Sequence, residues 1–164
     1  MLKNFPLLVA ILLLALPLSA QKNFPTPTIS DVDLKDYELS AVIGQGTPTV
    51  VAVWATWCQP CHAELDHMKS YLDKWQSEYK ANVLAISVDQ RHMVNRIKPL
   101  VKRKGWAYDV LVDTQGKLQQ ALGFRSIPQM YIVDGKGKIV KSFTGYEPGR
   151  EVQVDAVVRK LAAK

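Results

Sequence analysis

The feature that most constrains this chain is the run Thr49-Val50-Val51-Ala52-Val53-Trp54-Ala55. It is apolar, rich in β-branched residues and unbroken by any polar alternation. Such a run fits a strand buried on both faces and suits no surface position. The next segment is equally constrained. Leu65, Met68, Leu72, Trp75 and Tyr79 recur at helical spacing, with Glu64, Asp66, Lys69, Asp73 and Lys74 elsewhere around the same cylinder. At the joint between strand and helix stand the only two cysteines of the chain, Cys58 and Cys61.

The same grammar repeats downstream. Val83 to Val88 reads as a second buried strand closed by Asp89, and residues 91–104 as a helix that Pro99 splits or kinks. Tyr108 to Val112 reads as a strand, and 114–122 as a helix stopped by Gly123. Met130–Val133 and Lys138–Phe143 are two strands joined by the turn residues Asp134-Gly135-Lys136-Gly137. The stretch after Pro148 and Gly149 carries Val152, Ala156, Val157 and Leu161 at helical spacing. Upstream, residues 21–30 hold two prolines and read as an extended leader. Asp31 to Gly46 reads as a short strand or helix ending in a Gly44–Gly46 turn. Alternating strands and helices imply a parallel portion with helices on both faces, to which the hairpin adds antiparallel strands. The expected fold is a single α/β domain, a central mixed sheet flanked by helices, over residues 31–164.

Residues 1–20 are of another kind. Lys3 supplies a short positive region, Phe5 to Leu18 is almost wholly apolar, and Pro17, Ser19 and Ala20 precede Gln21. That order is that of a secretory signal peptide cleaved after Ala20, although Leu18 is larger than usual before such a site. An uncleaved membrane anchor is the alternative, but the apolar run is short for a span of about 20 residues. No cysteine directly follows it to carry a lipid. The expected location is therefore outside the cytoplasm, in the periplasm.

Export changes how the cysteines read. A stabilising disulfide gains most of its effect from closing a long loop, and a bridge enclosing two residues contributes little. Chemistry explains the pair better. Pro60 has no donor and is preset for a first helical turn, which puts Cys58 at the helix N-terminus. Free N–H groups and the positive end of the helix there favour thiolate over thiol. Cys58 is thus the candidate nucleophile toward a partner's disulfide, and Cys61, one turn inside, the candidate resolving thiol.

The segment Trp54-Ala55-Thr56-Trp57-Cys58-Gln59-Pro60-Cys61, Glu64, the run Gly123-Phe124-Arg125-Ser126-Ile127-Pro128 and the run Tyr131-Ile132-Val133-Asp134-Gly135-Lys136-Gly137 together resemble the thioredoxin superfamily. More narrowly they resemble its exported TlpA/ResA-like thiol–disulfide oxidoreductases. The resemblance spans roughly residues 30–164 and implies a thioredoxin fold with an N-terminal extension. By it, Pro128 is a cis proline facing the sulfurs and Ile127 offers backbone groups to a partner's chain. Trp57 and Pro60 complete the substrate-binding set, and Glu64 is the candidate proton acceptor for Cys61. Thioredoxin's buried Asp before the first cysteine is replaced by Ala52, and Gln129 stands where relatives have Thr.

The resemblance also implies its partners. Exported disulfide-containing proteins, apocytochromes of cytochrome c biogenesis among them, are the acceptors, and a membrane thiol carrier is the electron donor. The protein acts as a monomer and needs no cofactor beyond its own Cys58–Cys61 couple. The Gln-Pro dipeptide resembles thioredoxin's own more than the His-bearing dipeptide of strongly oxidising exported enzymes, so a reductant is expected.

Three other readings use the same residues. Cys58-x-x-Cys61-His62 matches the attachment pattern of c-type haem, but a buried strand leads straight into it. Zinc would need a second ligand pair, and there are no further cysteines. A thiol peroxidase would use Cys58 on peroxide, but no Thr or Arg arrangement marks a peroxide pocket. His62, His67 and His92 read as surface or core-edge residues. The whole chain carries a net charge of +6, falling to about +5 without residues 1–20. The cluster Lys98, Lys102, Arg103 and Lys104 reads as a solvated helix face. Nucleic-acid binding is not expected, since no stacking aromatics interleave these charges.

Overall fold

The computed structural model describes residues 22–163. The expected signal segment, residues 1–20, lies outside the described residues. Seven strands form one sheet in the order β2-β1-β5-β4-β3-β6-β7. The apolar run becomes β3 (Thr49–Trp54), and every residue of it is buried. β3 pairs in parallel with β4 (Asn82–Ser87), and β4 with β5 (Asp109–Val112). On its other side β3 meets β6 (Gln129–Val133) antiparallel, and β6 meets β7 (Ile139–Thr144). This is the mixed sheet that the strand–helix alternation implies.

Alternation along β3 divides the core. Val50, Ala52 and Trp54 face one apolar layer with α1 (Gln59–Met68), α2 (Leu72–Ser77) and α5 (Arg150–Ala162). Val51 and Val53 face the other, which holds Leu118 of α4 (Lys117–Leu122) and the N-terminal Phe24 and Ile29. Because both faces of β3 are covered, a polar side chain there must find a partner or stay unsatisfied, as Thr49 Oγ1 and Trp54 Nε1 do.

The extended leader runs first along β7, where Ile139 N donates to Lys22 O and Phe24 N to Gly137 O, both at short range (2.9 and 2.8 Å). It then crosses the sheet to become β1 (Thr28–Asp31), antiparallel to β5 and to β2 (Asp36–Glu38). Phe24 is its anchor, 4% exposed and edge-on to Tyr131 at 5.7 Å. The Gly44–Gly46 turn packs on the β6–β7 hairpin so closely that a Cβ on Gly135 would lie 2.6 Å from the Gly46 carbonyl. Gly123 ends α4 in the left-handed region (φ 76°), where a glycine carries no Cβ penalty.

Two helices differ from the sequence expectation. The stripe Leu65–Trp75 is not one helix: a 3-10 turn at Lys69–Tyr71 separates α1 from α2. The stripe survives because Leu65, Met68, Leu72 and Trp75 are all buried on one side of the break. In 91–104 the division falls before Pro99, not at it. Arg91–Arg96 is 3-10 and α3 runs Ile97–Lys104. Pro99 sits in the first turn of α3, where its missing donor is no loss, and its ring excludes a regular turn just upstream.

Ile86, fully buried at the centre of β4, reports on this double-sided packing. Ile86→Ala is expected to lower unfolding stability by about 2–5 kcal/mol in urea titrations. Lys136→Ala, in the exposed hairpin, should stay within about 0.5 kcal/mol of the parent.

Candidate active site

β3 delivers the chain directly to Cys58. Cys58 is the N-cap of α1, with extended backbone (φ −95°, ψ 94°), and its Sγ accepts the Cys61 N–H at 3.3 Å. Pro60 lies in the first turn, where a donor would go unused. Cys58 and Cys61 are bonded to each other with Cα atoms 5.3 Å apart. Both are buried, Cys58 to 5% exposure and Cys61 to 1%. The outer sulfur therefore receives one backbone donor, and the inner one faces the core.

Glu64 stands one turn beyond Cys61 on the same helix face. It is 2% exposed and Oε1 has no hydrogen-bond partner. Burial raises its pKa to about 7, with the Arg150 guanidinium pulling the other way. It is the sixth residue of α1, beyond the first turn, and unsolvated, so it is not an acid that merely complements the helix dipole. Arg150, the first residue of α5, is 4% exposed and lies over the Phe143 ring, 4.6 Å from its centroid. Its NH1 donates to Gly145 O at 3.0 Å, and its Nε is unpartnered. The carboxyl near the sulfurs thus comes from α1, and Ala52 of β3 is a plain core residue, 1% exposed.

The loop before Cys58 is fixed by a residue whose role the sequence did not reveal. Asp89, fully buried just beyond β4, accepts from Thr56 N and Thr56 Oγ1, each at 2.8 Å, and from Ser87 Oγ at 2.7 Å. Three donors satisfy the carboxylate, so its burial is compensated and Thr56 is held on both sides. In the sequence it shows only as the polar residue directly after the apolar run Val83–Val88.

The Ile127–Pro128 peptide is cis. The register Val53↔Gln129 carries Pro128 to the same sheet end as the Trp54–Cys58 loop. Gln129, the departure from the relatives' Thr, braces this turn: Nε2 donates to Ser126 O at 2.9 Å, and Oε1 accepts from Thr144 Oγ1 at 3.0 Å. Among the described residues, no backbone hydrogen bond uses the Ile127 N–H or carbonyl. Trp57 is 62% exposed and shares a depression of about 390 Å³ with Ile127, Ser126 and Val88. Trp57 and Ile127 therefore come together at one surface, with Pro60 exposed beside them and Pro128 buried beneath.

His62 is not a surface residue. It is 6% exposed, edge-on to Trp54 at 6.1 Å and Trp106 at 5.7 Å. Burial lowers its pKa, so the ring is neutral and adds no charge beside the thiols. Among the described residues, no group of three His, Cys, Asp or Glu side chains is placed to hold a metal ion. Likewise no described helix is long and apolar enough to cross a membrane.

A dithiol couple at a helix N-terminus, beside a cis proline and on a mixed sheet, defines a thiol–disulfide oxidoreductase of thioredoxin fold. Comparison with known proteins agrees. A thioredoxin-like protein of Porphyromonas gingivalis, solved in solution, superimposes with a TM-score of 0.73 at 33% identity, covering 85% of this chain and 92% of that one. Thiol-disulfide oxidoreductase ResA of Bacillus anthracis is 26% identical over 85% of this chain and 77% of its own. Thiol:disulfide interchange protein DsbE of Haemophilus influenzae is 30% identical over 76% and 65%. Residues 20–142 match the model of the AhpC/TSA family, and the chain belongs to that family.

The buried Glu64 makes stability depend on pH in a definite direction. The folded protein holds a proton up to about pH 7, whereas an unfolded Glu releases it near 4.5. Stability is therefore full below the unfolded value and declines as pH rises through the folded one. From about pH 5 to about pH 8 the parent should lose roughly 2 kcal/mol more than Glu64→Gln does, measured by urea unfolding across that range.

Proposed function

We propose that the protein, exported by a signal segment cleaved after Ala20, is a reductant of protein disulfides acting outside the cytoplasm. The observation that carries this reading is the unequal setting of the two sulfurs. Cys58 caps α1 and accepts a backbone N–H, while Cys61 is buried one turn inside. In the reduced protein, the Cys58 thiolate attacks one sulfur of a client disulfide. A mixed disulfide forms and the client's other sulfur leaves as thiolate. Glu64 takes the Cys61 proton, and the Cys61 thiolate attacks Cys58. The Cys58–Cys61 bond forms and the second client thiolate leaves. Two electrons pass to the client, and the oxidised couple is reduced again by a membrane thiol carrier.

The client segment is read as lying extended along Ile127, whose backbone groups make no bond within the described residues. Strand-like pairing there supplies affinity without demanding one client sequence. Trp57 packs the client beside the reactive sulfur, with Pro60 and Pro128 as walls. The paired cysteines of apocytochromes fit this chemistry and are one client class. The names of the ResA and DsbE relatives support thiol–disulfide exchange. Within the AhpC/TSA family, peroxide turnover is the outcome that would displace this reading.

Trapping tests it. Cys61→Ser should retain client proteins as mixed disulfides on Cys58, released by dithiothreitol, and Cys58→Ser should retain none. The reverse pattern exchanges the roles of the two sulfurs. Peroxide consumption faster than insulin reduction would replace a reductase with a peroxidase.

A further inference from the structure

A groove of about 620 Å³ opens between the N-terminal end of α1 and the 91–104 segment, within the range of sites that bind a peptide or small molecule. Its lining includes Trp57, His62, Arg96, Leu100, Arg103 and Lys104, and no acidic residue. Arg96, the N-cap of α3, and Leu100 and Arg103 within it are spaced to share one side of the helix. The cations differ in state. Lys104 is neutralised by Asp66 at 2.7 Å. Among the described residues, neither Arg96 nor Arg103 has a carboxylate within ion-pair distance. His62, neutral and buried, has an unpartnered Nε2. The groove therefore offers two guanidinium groups without a carboxylate partner beside Trp57 and Leu100, in a lining of mixed polarity.

Trp57 joins this groove to the reactive centre. The same exposed indole lines the depression that holds Ile127 on its other side. A chain laid along Ile127 with its sulfur at Cys58 thus continues over Trp57 into the arginine-flanked groove. Guanidinium groups pair bidentately with carboxylates and suit partly exposed sites better than lysines.

Resting on the reductase reading, we propose that this groove is a client subsite that selects acidic residues flanking the disulfide. The occupant is an extended polypeptide segment with Glu or Asp side chains one or a few residues from its cysteine. Arg96 and Arg103 are then specificity elements, while Lys98 and Lys102 stay outside the groove. The pairing adds no step to the exchange. It raises the local concentration of acidic clients at Cys58 and is screened by salt within a Debye length of about 8 Å at physiological ionic strength.

The test measures reduction of peptides of one sequence whose residues beside the disulfide are all Glu, all Ser or all Lys. Reduced wild-type protein should react with the Glu peptide about fivefold faster than with the Lys peptide, the ratio shrinking toward one in high salt. Arg96→Glu with Arg103→Glu should invert the ratio. Lys98→Glu with Lys102→Glu makes the same change of net charge away from the groove and should keep the wild-type ratio. Equal rates in the wild type, a ratio that survives the arginine reversal, or one lost equally in the lysine control overturns the subsite. The Ser peptide judges the reductase reading separately. A wild-type rate no faster than that of free glutathione defeats that reading, while the Glu-to-Lys ratio still decides the groove.

Discussion

The structure depends on one constraint: a strand with both faces buried must end where a helix begins, and the residue at that joint is a cysteine. β3 cannot be displaced without exposing apolar side chains on two sides, so its C-terminal end is a fixed point. The 3.3 Å contact from Cys61 N to Cys58 Sγ is the local result. It satisfies a donor that every helix start leaves over, and it does so with the atom that the proposed exchange uses as thiolate. The helix end contributes up to about 2 kcal/mol in partly buried geometry. A hydrogen bond to a charged acceptor contributes about 1.5–3 kcal/mol. Apolar burial of the sulfur opposes both.

Around that joint, buried polar groups divide into finished and unfinished ones. Asp89 is finished: its two oxygens meet three donors, and it holds Thr56 and hence the approach to Cys58. Glu64 and Arg150 are unfinished, each buried with a polar atom lacking a partner. A side chain placed only for stability would be satisfied or replaced by an apolar one. Burial holds Glu64 near neutrality one turn from Cys61, the setting its proposed role as proton acceptor needs, and the arginine at the head of α5 keeps its proton affinity from rising further.

The central strand, the order of elements and the reactive pair were legible because each is a local pattern. Thr49–Ala55 has no polar break, and Pro60 marks the first turn of α1. Other features arise from contacts distant in sequence. Asp89 meets Thr56 across 33 positions, and nothing local distinguishes it from a loop aspartate. His62 comes after Cys61 like any helix residue, and only Trp54 and Trp106, folded against it, make it a core ring. The leader's prolines indicate extension but not that Thr28–Asp31 pairs with β5, since pairing partners are a property of the sheet. The 3-10 turn at Lys69–Tyr71 leaves the apolar spacing intact and so leaves no trace in it.

The most direct test of the thiolate at this joint is the pH dependence of alkylation of Cys58 by iodoacetamide in reduced Cys61→Ser protein. A titration midpoint about a unit or more below the value of about 8.5 for a free thiol is expected. A midpoint at or above that value would mean that the start of α1 does not stabilise the thiolate, and the chemistry assigned to this joint would fail.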